Sequence, residues 1–186
     1  MDYQTKKQRS KQGKDGEDLF QKWLQDFDAP FLRVDNDTET YAQLFKGKLK
    51  RPDFLLLITG MGLLAVDVKN LTPVKKEGGG FFLDFEEELN YSVEFEHAFK
   101  IFLWYAIRDK SAESDNQWHF ISAYDALQNG EVKTRDDDTH YYHIAEEYFT
   151  VIQDANDVPE LLKSRRGVTG FLTNMLETAI LSTKLK

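Results

Sequence analysis

The stretch Arg51–Asn70, RPDFLLLITGMGLLAVDVKN, is almost wholly apolar between Asp53 at one end and Asp67 and Lys69 at the other. Buried strands seldom carry two carboxylates and a lysine, because each charge must leave water. Two strands are predicted, Asp53 to Ile58 and Leu63 to Lys69, joined through TGMG. Alternate residues of a strand share a face, so Asp67 and Lys69 point with Leu63 and Ala65, while Leu64, Val66 and Val68 point the other way. Asp53 shares its face with Leu55 and Leu57. Both faces are apolar along most of their length, the mark of a sheet covered on two sides.

The turn decides whether the charges meet. An odd-numbered loop such as Gly60–Met61–Gly62 puts Asp53 opposite Lys69 and diagonal to Asp67. A two-residue loop pairs Asp53 with Val68 and throws the two carboxylates to opposite faces. The glycines make a three-residue turn easy, because one can take a left-handed conformation. Two carboxylates and a lysine at one sheet edge suit a hard ion such as Mg²⁺, which takes a few carboxylates plus waters. The lysine would then orient a nucleophile or stabilise phosphoryl charge. A strand-end salt bridge between Lys69 and either aspartate explains the same residues, and both readings stand at this point.

Upstream, GEDLFQKWLQDF spaces Leu19, Phe20, Trp23, Leu24 and Phe27 as one apolar helical stripe, with Asp15 or Gly16 as its cap and Pro30 beyond its end. Residues 1–12 read as a flexible basic arm, and residues 31–50 as a short strand or loop with connecting structure. Downstream, a third strand is predicted around Phe81 to Glu87, then a helix in SVEFEHAFKIF, strands in LWYAIRD and QWHFISAY, an ambiguous HYYHIAEEYFTVI, and a terminal helix in GVTGFLTNMLETAILSTKLK. The order is that of an α/β sheet with helices on its faces, in one domain.

With 186 residues, 41% of them hydrophobic and 13% aromatic, the chain can bury a real core, and without cysteine it has neither disulfides nor a thiolate zinc site. No signal-peptide core or membrane-length apolar run is present, so a cytoplasmic protein with no membrane partner is expected. The net charge of −8 argues against a nucleic-acid coat protein. Base is nevertheless concentrated, in an N-terminal group that includes Lys11 and Lys14 and in Lys46, Lys48, Lys50 and Arg51 just before Asp53. These clusters read as a phosphate-attracting rim or as solvated faces, as do the acidic runs at Asp84 to Glu88 and Asp136 to Asp138.

His140 and His143 stand three apart in a strand-like segment without a third ligand nearby, and read as ordinary histidines. His97 reads as a partly buried polar contact on the second helix, and His119 as packing beside Trp118. The aromatic run IFLWYAI reads as core rather than as a base-stacking surface.

Pro52–Asp53 followed by Asp67–Val68–Lys69, with Gly13 and Glu17 in a GxxxE arrangement at the first helix, resembles the PD-(D/E)xK nuclease superfamily, in particular Holliday junction resolvases and Mrr-like restriction nucleases. The resemblance covers residues 13–125, leaving 126–186 as an extension. It implies a restriction endonuclease-like αβββαβ core, a mixed central sheet flanked by helices. It implies a metal-dependent DNA endonuclease in which Asp53, Asp67, the carbonyl of Val68 and Glu17 hold Mg²⁺ or Mn²⁺. Lys69 would assist the attacking water, and the Lys46–Arg51 cluster with Lys11 and Lys14 would hold flanking phosphates. Family members often carry glutamate where this chain has Asp67. RNA stays open as a substrate, because phosphate chemistry does not read the sugar. Resolvase-type members are often dimers, so a homodimer is expected by analogy. The alternative is a nuclease-like binding or assembly module without turnover, which the net acidity favours.

Overall fold

The computed structural model describes residues 3–34, 49–58, 62–75, 78–111, 116–134 and 140–163. Helix α1 (Tyr3–Asp26) leads into strands β1 (Phe31–Arg33), β2 (Phe54–Ile58) and β3 (Gly62–Leu71). Then come β4 (Phe81–Asp84), a π-helical turn over Phe85–Asn90, helix α2 (Tyr91–Phe99), and strands β5 (Leu103–Asp109) and β6 (Trp118–Ser122). Helix α3 (Ala123–Asn129), strands β7 (Glu131–Thr134), β8 (His140–Ile144) and β9 (Thr150–Ile152), and the short helix α4 (Val158–Lys163) complete the described chain.

Six strands form the central sheet in the order β1-β2-β3-β5-β6-β9. Strands β3 and β5 are parallel and every other neighbouring pair is antiparallel, so the sheet is mixed. The parallel pair needs a crossover, and α2 lies within it. The expected order of helix, three strands, helix and strand is therefore present, in a mixed α/β fold with helices packed on the central sheet.

The face alternation read from the sequence holds. Leu64, Val66 and Val68 join Phe20, Trp23 and Leu24 of α1 in one apolar cluster, with Trp104, Trp118 and Phe120. Ala65 on the other face joins Phe81, Leu83, Phe95, Tyr105 and Ile107 in a second cluster. The run from Leu103 to Ile107 is buried throughout, as core.

Three expectations fail. Backbone helix begins at Tyr3, so residues 3–12 of the stretch read as an arm belong to α1, and Asp15 and Gly16 lie inside the helix rather than capping it. Lysine, glutamine and arginine are good helix formers, and the two interior glycines, Gly13 and Gly16, cost only about 1 kcal/mol each. The strand at Phe81 ends at Asp84 and is not the third strand of the main sheet. It lies in a separate three-stranded sheet of order β4-β8-β7, and β1 takes the expected place beside β2. Its partner lies far along the chain, which period-2 patterning does not reveal: Phe82 pairs with His143 and Leu83 with Tyr142. Third, His97 is exposed rather than partly buried. The terminal helix expected near residue 170 and the loop residues 59–61 lie outside the described residues.

Candidate active site

The register of β2 on β3 brings the charges together. Ile58 pairs with Gly62 and Phe54 with Val66, so three residues, 59–61, form the connection and Asp53 stands just beyond the last paired residue, at the same end of the hairpin as Asp67. The loop length is odd, as expected, but it sits one position earlier than Gly60–Gly62. That shift would carry the pairing on to Asp67 rather than Lys69, but Asp53 leaves the regular ladder, its N–H on the Val66 carbonyl and its carboxylate on the Val68 N–H. The backbone of Asp53 is pinned on both sides: its N–H donates to the Val66 carbonyl at 2.9 Å, and its carbonyl accepts from Val34 N–H at 2.8 Å. Asp53 Oδ2 accepts from Val68 N–H at 2.7 Å.

Both carboxylates are nearly out of water, Asp53 at 8% and Asp67 at 2% exposure. Burial pushes the Asp53 carboxyl above its ordinary range, with Lys69 and the Val68 N–H opposing the shift. Asp67 is pushed up to about 7 by burial, and the ammoniums of Lys50 and Lys69 do not fully offset it. Lys69 Nζ stands 2.7 Å from Asp67 Oδ2 and 3.0 Å from Glu88 Oε2. Burial lowers the Lys69 pKa, but Asp67 and Glu88 outweigh it and hold the amine charged, well above the usual lysine range.

Two further residues enter that sequence reasoning placed elsewhere. Lys50, expected on a basic rim, stands with its Nζ 3.2 Å from Asp67 Oδ1 and ion-pairs with Glu88 Oε2. Glu88, read as part of a solvated acidic run, is brought into the site by the π-helical turn. Burial would raise its carboxyl, but Lys69 and Lys50 overcome this and hold it down at about 2. Nothing in the DFEEE run singles out its last glutamate, because which residue of a turn faces inward depends on the turn's geometry.

Glu17 arrives from α1. The helix comes close to the sheet at Gly16, where an added Cβ would lie 3.0 Å from the Asn70 Cβ of β3. Glu17 Oε2 ion-pairs with Arg33 Nη2 at 2.9 Å, while Arg33 Nη1 reaches Asp18 at 2.7 Å and Gln21 at 2.8 Å. Arg33 thereby clamps β1 to α1, a role no motif signalled. The negative charge of Glu17 is felt at Asp53, whose carboxyl it raises.

Glu17, Lys50, Asp53, Asp67, Lys69 and Glu88 all line one open cavity of about 830 Å³. Arg51 also lines it, and Lys14 is exposed on α1. Lys46 and Lys48, and the side chain of Lys11, lie outside the described residues. Phe82, His140 and Tyr141 of the second sheet also line the cavity. His140 and His143 take opposite environments, as their spacing on a strand requires: His140 is exposed, and buried His143 contacts the Gly79 carbonyl at 2.8 Å through Nε2. His119 packs edge-on against Phe81 and Phe149, and burial lowers its pKa.

Among the described residues, no three His, Asp or Glu side chains converge to hold an ion. Two buried aspartates lining one cavity are nevertheless a hard-oxygen donor pair, and Mg²⁺ is commonly held by one or two carboxylates with waters completing its shell. The donor set fits such an ion.

No family model and no curated protein matches this chain. Among solved structures it is similar to Hjc, a Holliday junction resolvase from the archaeal hyperthermophile Archaeoglobus fulgidus. Identity is 16%, the overlap covers 73% of this chain and 91% of that one, and the TM-score is 0.44.

Proposed function

We propose that the protein is a metal-dependent phosphodiester hydrolase, an endonuclease acting on DNA. One observation supports this above the others. The β2–β3 hairpin brings two buried carboxylates to one end, with a lysine ammonium 2.7 Å from one of them, in an open cavity. Asp53 and Asp67 would hold Mg²⁺ or Mn²⁺, with the Val68 carbonyl and Glu17 as further oxygens, Glu17 directly or through water. When bound, the ion supplies positive charge beside the phosphoryl oxygens and acidifies water.

The chain's own residues do the rest. Lys69 stays protonated, so it serves as a hydrogen-bond donor to the attacking water or to a phosphoryl oxygen and not as a base. The backbone bonds on either side of Asp53 hold its carboxylate in place, so little reorganisation is needed when substrate arrives. Arg33 keeps Glu17 at the cavity wall. Arg51 and Lys14, with Lys11, Lys46 and Lys48, would meet flanking phosphates.

The test is cleavage in Mg²⁺ and in Mn²⁺ of single-stranded, duplex and branched DNA and of RNA. Metal-dependent cleavage that disappears in Asp67→Ala, with the fold retained, supports the proposal. Unchanged cleavage by Asp67→Ala removes the site assignment.

A second reading, a nuclease-like module that binds or assembles without turnover, has one observation in its favour. Lys50 and Lys69 both ion-pair with Asp67 and so neutralise its charge without a metal ion. Calorimetric titration with Mn²⁺ separates the two, because a module satisfied by its lysines takes up no ion at Asp53 and Asp67.

A further inference from the structure

We infer that Lys50 is a second phosphate-binding lysine of the site itself, and that Glu88 is the residue that positions it together with Lys69. This rests on the nuclease reading above and goes beyond it by assigning how the substrate phosphate is held.

The two ammoniums share one atom. Lys50 Nζ and Lys69 Nζ both bind Glu88 Oε2, and each also reaches a different oxygen of Asp67, Oδ1 for Lys50 and Oδ2 for Lys69. The four side chains form a closed ring of alternating charge. Each cation is largely withdrawn from solvent, at 14% side-chain exposure for Lys50 and 19% for Lys69. A lysine meant only to meet flanking phosphates gains nothing from such burial, since a compact ammonium is strongly hydrated. Withdrawing it from water is costly unless it is paired.

The placement is built in from several sides. Lys50 N–H donates to the Tyr91 carbonyl at 2.9 Å, so its backbone is tied to the first residue of α2. That helix follows directly from the turn that carries Glu88. The Glu88 carbonyl accepts from Ser92 Oγ at 2.6 Å, and Ser92 Oγ lies 2.6 Å from Tyr105 Oη. Tyr105 is the β5 neighbour of Asp67 in the parallel register. The turn, the carboxylate and both lysines are therefore referenced to the same two central strands.

The charge balance gives the ring its use. Asp53, Asp67 and Glu88 oppose Lys50 and Lys69, a formal excess of one negative charge among these five groups of the cavity. Asp67 can hold the two ammoniums only while its own charge is uncommitted. Glu88 keeps them in place when that charge is engaged elsewhere, leaving two fixed donors on one side of the phosphate.

The experiment compares wild type, Lys50→Gln, Lys50→Arg and Glu88→Gln, with thermal melts confirming the fold of each. Binding to a labelled four-way DNA junction and to a linear duplex is measured in Ca²⁺ from low to moderate salt, and single-turnover cleavage is measured in Mg²⁺. Loss of one phosphate contact lowers the salt slope by about one, so a fourfold rise in salt weakens Lys50→Gln binding about fourfold less than wild type. Lys50→Arg keeps the wild-type slope. Single-turnover cleavage by Lys50→Gln falls by about a hundredfold, the usual loss on removing one preorganised donor. Glu88→Gln touches no phosphate, so it keeps the salt slope and loses cleavage rate.

An unchanged slope in Lys50→Gln, or a slope in Lys50→Arg as low as in Lys50→Gln, overturns the phosphate contact. Wild-type cleavage by Glu88→Gln overturns the positioning role. Wild-type protein that binds but does not cleave removes the hydrolase reading and leaves the contact to be decided by the slopes. Wild-type protein that binds no nucleic acid overturns both.

Discussion

Glu96 offers the cleanest test of the electrostatics, because it lies outside the proposed chemistry. It sits near the end of α2, 6% exposed, and its Oε1 accepts from Leu103 N–H at 2.7 Å, joining the helix to the first residue of β5. Burial raises its carboxyl to about 7 from an ordinary 4.5, with the Leu103 bond opposing and Asp125 adding to the rise. A carboxyl whose folded pKa is raised favours folding while protonated. Its contribution is present below about pH 4.5 and is lost as pH rises to about 7. At 1.36 kcal/mol per unit, a shift of that size costs the fold on the order of 3 kcal/mol above pH 7. Glu96→Gln removes the charge and keeps an oxygen for Leu103 N–H. At pH 8 the variant should be more stable by up to about 3 kcal/mol, or roughly 6–12 °C in melting temperature for a chain of this length. The measurement is urea unfolding of wild type and variant from pH 4 to 8. The difference should grow between pH 4.5 and 7 and then level off. A variant no more stable than wild type at pH 8, or a difference that does not vary with pH, would refute the reasoning.

Other substitutions probe the scaffold and the ring. Gly80 has a φ of +86°, and a Cβ there would lie 1.9 Å from the Ile144 carbonyl oxygen of β8. Gly80→Ala should cost several kcal/mol, on the order of 3 or more, because backbone must shift to admit the methyl; chemical denaturation measures it. Glu88 behaves oppositely to Glu96. Its carboxyl is held down at about 2, so it stabilises the fold above pH 4.5 and loses that contribution as pH falls toward 2. Acid titration followed by circular dichroism should therefore show a shallower acid limb in Glu88→Gln than in wild type between those values. Asp53→Asn should abolish Mn²⁺ uptake measured by calorimetry while the protein stays folded; retained stoichiometric uptake would place the ion elsewhere.

Much of the architecture is legible in local pattern. The alternation in LLAVDVK separates Ala65, Asp67 and Lys69 from Leu64, Val66 and Val68, and the two clusters on either face follow it. The apolar stripe from Leu19 to Phe27 marks the buried face of α1, and the aromatic run at Leu103 marks a central strand. These signals are local because side-chain direction in a strand or helix follows from backbone geometry alone. The pairing of β4 with β8 has no such signal, since it joins residues about sixty positions apart whose compatibility shows only when the strands are adjacent.

The site divides along the same line. Which residue types could do phosphate chemistry, and that Asp53, Asp67 and Lys69 belong to one hairpin, follows from the sequence, because strand period and a short loop constrain them together. Which of them face each other does not. A loop one position earlier pairs Phe54 with Val66 rather than with Val68, and sequence permits both positions. Lys50 looked like one base among several, and Glu88 like one acid in a run. Only tertiary structure sets these two against Asp67 and Lys69, because ion pairing between a loop, a turn and a strand depends on where three separate segments are packed in space.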